Sequence, residues 1–456
     1  MTLASGLTVL RGLLPTWRQP AQIVVTAFAL VIAAGTVLLM LPVATESGES
    51  SGFVTALFTA TSAVCVTGLV VVDTSSYWST FGELAILGMI QVGGLGIMTL
   101  ATLLGILVVR RFGLRLQLTV QAETKTLRLG DVRRVVAGVV LISLVFEVVI
   151  FLVLFLRLWL GLGQHWGEAL YQGAFHSISA FNNAGFSLYS DSLMRYATDA
   201  AICLPIAFAV LAGGLGFPVW IELWRHRLRG ARRWSLHVKI TLLATSALLA
   251  VGSVLITAAE WNNPATLGQF GVGGKLLAGF FHGVMPRTAG FNSLDVSQFE
   301  PGTLLINNVL MFIGGGSAGT AGGIKVTTFA LLAFVILAEI RGRPSVHVMG
   351  RRLESTVQRQ ALTVALLSVG AVVSGTLLLL ALTPFSLDRV LFETVSAFGT
   401  VGLSTGITGQ LPPSAELVVT GMMFLGRLGP ITLASALALR ERTRRYELPE
   451  ERPIVG

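Results

Sequence analysis

Four short stretches of this chain share a pattern that could bind a cation with backbone oxygen alone. Ser62-Ala-Val-Cys-Val-Thr-Gly68, Ser179-Ala-Phe-Asn-Asn-Ala-Gly185, Val284-Met-Pro-Arg-Thr-Ala-Gly290 and Ser396-Ala-Phe-Gly-Thr-Val-Gly402 each end in Gly, with Leu or Phe just after it and a Phe ten residues before it (Phe58, Phe175, Phe280, Phe392). A dehydrated alkali ion needs several oxygens in place of its water. Peptide carbonyls supply them without a formal charge that would hold the ion too tightly. Aiming those carbonyls at one centre needs backbone conformations that Gly tolerates and β-branched residues do not. The candidate ligands are therefore Val66, Thr67 and Gly68; Asn183, Ala184 and Gly185; Thr288, Ala289 and Gly290; Thr400, Val401 and Gly402. The glycines lie 117, 105 and 112 residues apart, too far for a solenoid repeat of about 20–50 residues. Each loop must belong to a larger module, and four modules suggest four loops meeting on one axis.

The elements that position these loops are legible in the hydropathy. Of 456 residues, 53% are hydrophobic and 12% charged, against about 25% charged in a soluble domain. Eight apolar windows reach the length of about 20 residues that spans a bilayer: Ala21–Leu41, Leu84–Val109, Val135–Leu156, Ala200–Ile221, Ile240–Ala259, Leu304–Ala338, Ala361–Leu382 and Leu417–Leu439. They fall in pairs, one on each side of a loop. The segments just before the loops (53–63, 168–181, 275–284 and 388–398) are too short to cross and suit re-entrant half-helices, whose C-terminal ends carry about −0.5 of a charge toward the axis. The expected fold is an all-α integral membrane protein of four parallel M1-P-M2 repeats (helix, pore helix with loop, helix) around a pseudo-fourfold pore. Repeat one covers 20–110, repeat two 134–225, repeat three 236–340 and repeat four 358–440, between an N-terminus (1–19) and a tail (441–456) both expected in the cytoplasm.

The net charge of +9 does not point to nucleic acid. Of 32 Lys and Arg, 25 fall in the N-terminus, 110–134, 225–239, 341–359 and the tail from Arg440. Those segments alternate with the paired windows, as the positive-inside rule requires of cytoplasmic loops. Each second window carries a Gly signature: Val92-Gly-Gly-Leu-Gly96, Ala212-Gly-Gly-Leu-Gly216, Gly314-Gly-Gly-Ser-Ala-Gly319 and Leu425-Gly-Arg-Leu-Gly429. In repeats one and two this reads as close helix packing. In repeat three it reads otherwise. Leu304–Ala338 would make a helix of about 52 Å, against a core of about 30 Å, and six of the ten residues Gly314–Gly323 are Gly. At about 1 kcal/mol per Gly in a helix, this span should break into a mobile loop.

Three basic residues interrupt the apolar pattern, and such groups usually face a partner or a cavity. Arg427 lies deep in the last window, Lys325 just past the broken stretch, and Arg287 inside the third loop, where it should hydrogen-bond loop carbonyls. Glu147, flanked by apolar residues, is expected to pair with a basic group or to snorkel outward, with a role in transport as the lesser alternative. Cys65 and Cys203 have neither metal nor disulfide spacing, and the six histidines are scattered, His176 and His282 in half-helices. That scatter speaks against a membrane enzyme. No nucleotide-binding motif is present, so the chain holds no ATP-driven pump. Parallel rather than inverted repeats speak against an alternating-access symporter for an organic solute.

Val66-Thr-Gly-Leu69, Asn182-Asn-Ala-Gly-Phe186, Arg287-Thr-Ala-Gly-Phe291 and Thr400-Val-Gly-Leu403, supported by Gln91-Val-Gly-Gly-Leu-Gly96, resemble the Trk/Ktr/HKT superfamily of potassium transporters across about residues 20–440, and within it the KtrB type of membrane subunit. The resemblance implies K+ as the transported ion, with Na+ as an activating ion, and Gly68, which is Ser in sodium-preferring plant members, favours K+. A sodium-permeable transporter of the same fold is the alternative. It implies a gate under the filter, formed by Gly314, Gly315, Gly316, Ser317, Gly319, Thr320, Gly322, Gly323, Lys325 and Arg427. It further implies a homodimer in membrane lipid, seated on a cytoplasmic ring of KtrA-type nucleotide-binding regulators.

Overall fold

The computed structural model describes residues 20–96, 132–225 and 234–429. The N-terminal stretch, most of the basic segment 110–134, the far ends of the second windows of repeats one and four, and the tail lie outside the described residues. Each repeat opens with a long helix: α1 (Pro20–Leu39), α4 (Val132–Leu156), α8 (Leu236–Glu260) and α12 (Ser355–Leu382). A shorter helix follows, half-length as its sequence demands: α2 (Phe53–Val64), α5 (Trp166–Phe181), α9 (Val272–Val284) and α13 (Leu387–Gly399). The returning helices are α3 (Thr80–Gly94), α6 (Ala200–Leu215) with α7 (Phe217–Arg225), α10 (Pro301–Phe312) with α11 (Val326–Ile340), and α14 (Pro413–Leu428). α4, α8 and α12 are long and apolar enough to cross a membrane, as is the bent pair α6–α7. This is an all-α multi-span fold; among the described residues the one departure is a two-stranded ribbon, β1 (His347–Val348) and β2 (Arg351–Arg352). There Met349 and Gly350 both have positive φ, as a tight two-residue hairpin turn requires.

In every repeat the long opening helix packs on its own short helix. The returning helix also packs on the short helix of the next repeat: α3 on α5, α6 on α9, α10 on α13, and α14 back on α2. The order one-two-three-four therefore closes on itself. Phe58, Phe175 and Phe392 are wholly buried where the helices meet. In repeat three Phe280 is half-buried and its neighbour Phe281 takes the interior place.

The returning helices differ from the continuous spans expected in repeats one, two and four. α6 and α7 meet at 91°, at Gly216. The last glycine of the signature has φ of +87° at Gly96, +95° at Gly216 and +81° at Gly429, where a residue with a side chain would be strained. Hydropathy is blind to such a turn at Gly96 and Gly216, whose near neighbours are apolar. The earlier glycines do serve packing. A methyl group on Gly93, Gly213 or Gly426 would collide with the carbonyl oxygen of Val64, Phe181 or Phe398 respectively, so each lets its helix touch the end of the short helix of its own repeat.

Candidate ion-conducting site

The four short helices end beside the four glycine loops, and the loops close into a ring. A methyl group on Gly68 would collide with the carbonyl oxygen of Ala184; on Gly185 it would lie 2.6 Å from that of Ala289; on Gly290, 2.5 Å from that of Val401; on Gly402 it would collide with that of Thr67. Each glycine thus faces the carbonyl of the residue preceding the next glycine, in the same cyclic order as the helices. Its φ is positive in all four cases, between +69° and +93°. Two residues earlier, Val66, Asn183, Thr288 and Thr400 are also left-handed, with φ of +57°, +61°, +77° and +49°. Four side-chain-bearing residues at one register in this sparsely populated region store strain. The surrounding contacts must hold it.

Those contacts differ among the loops. Ser62 Oγ accepts from the Gly68 amide (3.1 Å) and donates to the Leu69 carbonyl (2.7 Å). Ser179 Oγ donates to the Phe186 carbonyl (2.8 Å), and Ser396 Oγ accepts from the Gly402 amide (3.1 Å). The third loop has Val284 at that position. Behind it Arg287, buried, reaches the carbonyls of Thr245 (3.0 Å) and Gly314 (3.4 Å). These carbonyls belong to α8 and to the connection between α10 and α11, not to the third loop as expected from sequence. A second brace recurs within each of two diagonally placed repeats. His176 and Glu393, each nine residues before its ring glycine, bind Ser187 (3.0 Å) and Ser404 (2.9 Å), each two residues after it. His282 meets Asn307 (3.2 Å) and serves packing.

Residues 313–325 connect α10 to α11 beneath this assembly. Ile313 and Ile324 pair across the base of the connection, and Gly314 donates to the Ile324 carbonyl (2.8 Å). The Gly316 amide reaches the Gly214 carbonyl (2.7 Å), and a methyl group on Gly322 would collide with Thr400 Oγ1. Three basic side chains donate to carbonyls of this connection: Arg287 to Gly314, Arg427 to Thr320 and Lys325 to Ala321 (2.5 Å). Arg427, buried at 6% exposure, also donates to the Gly93 carbonyl of α3. The connection touches the ring directly as well. The Asn183 amide nitrogen donates to Thr320 Oγ1 (3.0 Å), and its oxygen accepts from Thr288 Oγ1 (3.3 Å), joining loop two, loop three and the connection. Ser317 Oγ lies 3.1 Å from Thr327 Oγ1.

Sequence reasoning missed the serine braces, although Ser stands six residues before three of the four glycines. It also misplaced Glu147. That carboxylate is buried and accepts from the side-chain amides of Gln91 (3.0 and 3.3 Å) and Asn182 (3.2 Å) rather than from a basic group. Cys65 and Cys203 are buried free thiols.

Residues 9–443 match the family model described as TrkH, cation transport protein. The chain belongs to this family. Its members are ion transporters rather than enzymes. The chain is 41% identical to the Ktr system potassium uptake protein B of Vibrio alginolyticus over 440 residues, covering 95% of this chain and 94% of the relative. It is 40% identical to the protein of the same description from Bacillus subtilis (strain 168), over 93% of this chain and 94% of the relative. Among solved structures, the potassium transporter TrkH from Vibrio parahaemolyticus superposes with a TM-score of 0.74 at 18% identity, covering 93% of this chain and 86% of that one. That likeness shows the fold: this is a multi-pass membrane protein of M1-P-M2 repeats.

Proposed function

We propose that the chain is the ion-conducting membrane subunit of a potassium uptake system. K+ sheds its water at the ring of glycine loops, is held by backbone carbonyls, and passes on when the connection 313–325 moves aside. The observation that carries this reading is the closed succession of glycine and carbonyl: Gly68 on Ala184, Gly185 on Ala289, Gly290 on Val401 and Gly402 on Thr67. Neutral oxygens bind a monovalent cation firmly enough to enter and weakly enough to leave. The four helix C-termini add negative potential at the same place. The two potassium uptake proteins of the Ktr system described above, at about two-fifths identity over nearly full length, support K+ as the ion.

Gly314, Gly315, Gly316, Ser317, Gly319, Thr320, Gly322 and Gly323 form the gate, with Lys325 and Arg427 holding it shut through its carbonyls. A fixed positive charge at Arg427 also raises the barrier to a cation while the gate is closed. The driving force is the membrane potential, about 2.3 kcal/mol per charge per 100 mV. The chain acts as a homodimer under a cytoplasmic KtrA-type nucleotide-binding ring, with Na+ as an activating ion; the description of both relatives as protein B of a system fits a partner that supplies the nucleotide site. Purified protein in liposomes is expected to pass K+ and Rb+ ahead of Na+, and Gly290→Ser to abolish that order. Equal flux of all three ions through the unsubstituted protein would reject the filter.

A further inference from the structure

Glu147 sits in α4, buried at 5% exposure, in a helix whose one other polar side chain from Ala137 to Leu156 is Ser143, bonded back to the Val139 carbonyl (3.0 Å). An ionisable group at such a place is expensive to maintain and needs a reason. Its side-chain hydrogen bonds are all with donors. Gln91 Nε2 reaches both carboxylate oxygens, and Asn182 Nδ2 reaches one of them. A protonated carboxyl must donate its proton, whereas an ionised one only accepts. A shell of two amide NH2 groups therefore suits the carboxylate. Among the described residues no Lys or Arg forms an ion pair with it, the ion pairs being Arg157 with Asp199 and Arg195 with Asp191.

The partners of Glu147 identify what it serves. Asn182 caps the C-terminus of α5 and directly precedes Asn183, the first residue of the second loop. Its Nδ2 is shared among Glu147 Oε1, Gln91 Oε1 (2.9 Å) and the Ile178 carbonyl (2.9 Å). Ser177, one turn earlier in α5, donates to the Glu147 backbone carbonyl (2.8 Å). Gln91 lies in the last turn of α3, whose Gly93 carbonyl accepts from Arg427. Two buried groups of opposite charge type thus hold one helical turn, Glu147 through the Gln91 side chain and Arg427 through the backbone. The other three loops carry at the position of Asn182 the residues Cys65, Arg287 and Gly399, so this arrangement occurs once.

We propose that Glu147 is a positioning residue for ion binding: a fixed negative charge behind the second loop that orients Asn182 and has the conducted cation as its counter-charge. The proposal rests on the filter reading above. In a medium of low dielectric the attraction between a carboxylate and a nearby cation is weakly screened, so the charge lowers the concentration at which the ring fills.

The test is concentration-dependent K+ influx into liposomes containing the full-length chain. Glu147→Gln keeps the shape and the acceptor oxygen and removes the charge. It should raise the half-saturating K+ concentration about fivefold, with maximal flux changing much less, as loss of one weakly screened charge implies. Glu147→Asp should recover much of the affinity. Gln91→Met, which leaves the charge but unties it, should shift half-saturation in the same direction and keeps the question answerable if Glu147→Gln does not fold. Half-saturation equal to the unsubstituted protein in Glu147→Gln, or in Gln91→Met where only that variant folds, overturns the proposal. Gly402→Ala serves as the reference arm. If Gly402→Ala conducts K+ normally the filter reading itself fails; if Gly402→Ala is dead and Glu147→Gln saturates normally, only the role of Glu147 fails.

Discussion

The glycine ring and the connection beneath it are both glycine-rich, and in both glycine admits a close backbone carbonyl, yet they differ in what else holds them. In the ring each glycine has backbone against it, the carbonyl of the next loop. Backbone cannot swing aside as a side chain can, so the ring is locked by the absence of four Cβ atoms and closed by its own order. In the connection backbone also lies against Gly314 (the Gly322 carbonyl), Gly315 (that of Gly214) and Gly316 (that of Leu215), but polar side chains are added to it. Arg287, Lys325 and Arg427 each hold one carbonyl, and Thr320 bridges to Asn183. On the function proposed above, the filter that must keep its dimensions is interlocked, while the gate that must move is latched as well.

The sharpest way to break this comparison is to put a methyl group into the ring. Gly402→Ala combines a φ of +93° with a collision at the Thr67 carbonyl. The strain at such a site is about 1–3 kcal/mol, and the displaced carbonyl adds to it, so K+ flux in liposomes should fall on the order of 100-fold, at 1.4 kcal/mol per decade. Arg427→Gln should act the other way. It removes charge-assisted hydrogen bonds worth about 1.5–3 kcal/mol each, so basal flux should rise about tenfold or more with ion preference kept. Arg427→Lys should lie between, because a single ammonium cannot reach both carbonyls as the guanidinium fork does. A fall in flux with Arg427→Gln at normal expression would mean that the arginine is not a latch.

Between these extremes lie the bridges. Thr320→Val removes the hydroxyl linking the connection to Asn183, a hydrogen bond worth about 1 kcal/mol net, while that amide nitrogen keeps the Val210 and Phe181 carbonyls. Flux and K+ over Na+ preference should change together, by about fivefold, because one bond belongs to both regions. An altered flux at constant preference would show that latch and ring are independent. Ser62→Ala and Ser396→Ala each lose a loop brace worth about 1 kcal/mol, and preference should drop by a few-fold with little change in gating.

How much of this was legible before the fold follows from the range of each interaction. The four loops, their half-helices and the broken third repeat are local, and Gly spacing with segment length was enough. The helix ends at Gly96, Gly216 and Gly429 were also local, and the recurrence of the last glycine in Val92–Gly96, Ala212–Gly216 and Leu425–Gly429, with Pro218 and Pro430 following two of them, could have revealed them. The partners of Glu147 could not be read. Gln91 lies 56 positions away and Asn182 35, and neither carries the charge that a buried carboxylate leads one to seek. Arg287 shows the same limit, since its acceptor on α8 is 42 positions distant.

The smallest effect is expected outside both regions, at the tie between the outer stretches of repeats one and two. Asp73 accepts from Ser190 (2.5 Å) of the second repeat and from Ser75 and Ser76 of its own. Partial burial alone would raise its pKa, but these hydrogen bonds outweigh it and hold the carboxyl below its ordinary 3.8. A carboxyl depressed by folding contributes stability that is full above its unfolded pKa and lost as pH falls through the folded value. The thermal midpoint of purified protein should therefore decline below about pH 4, and Asp73→Asn should remove that increment, an exposed interaction of at most about 1 kcal/mol. Ion preference and basal flux at neutral pH should not follow, because the tie touches neither the interlocked ring nor the latched connection. If Asp73→Asn altered the K+ to Na+ ratio, the ring would be borrowing its rigidity from the outer loops, and the distinction between interlock and latch would have to be redrawn to include them.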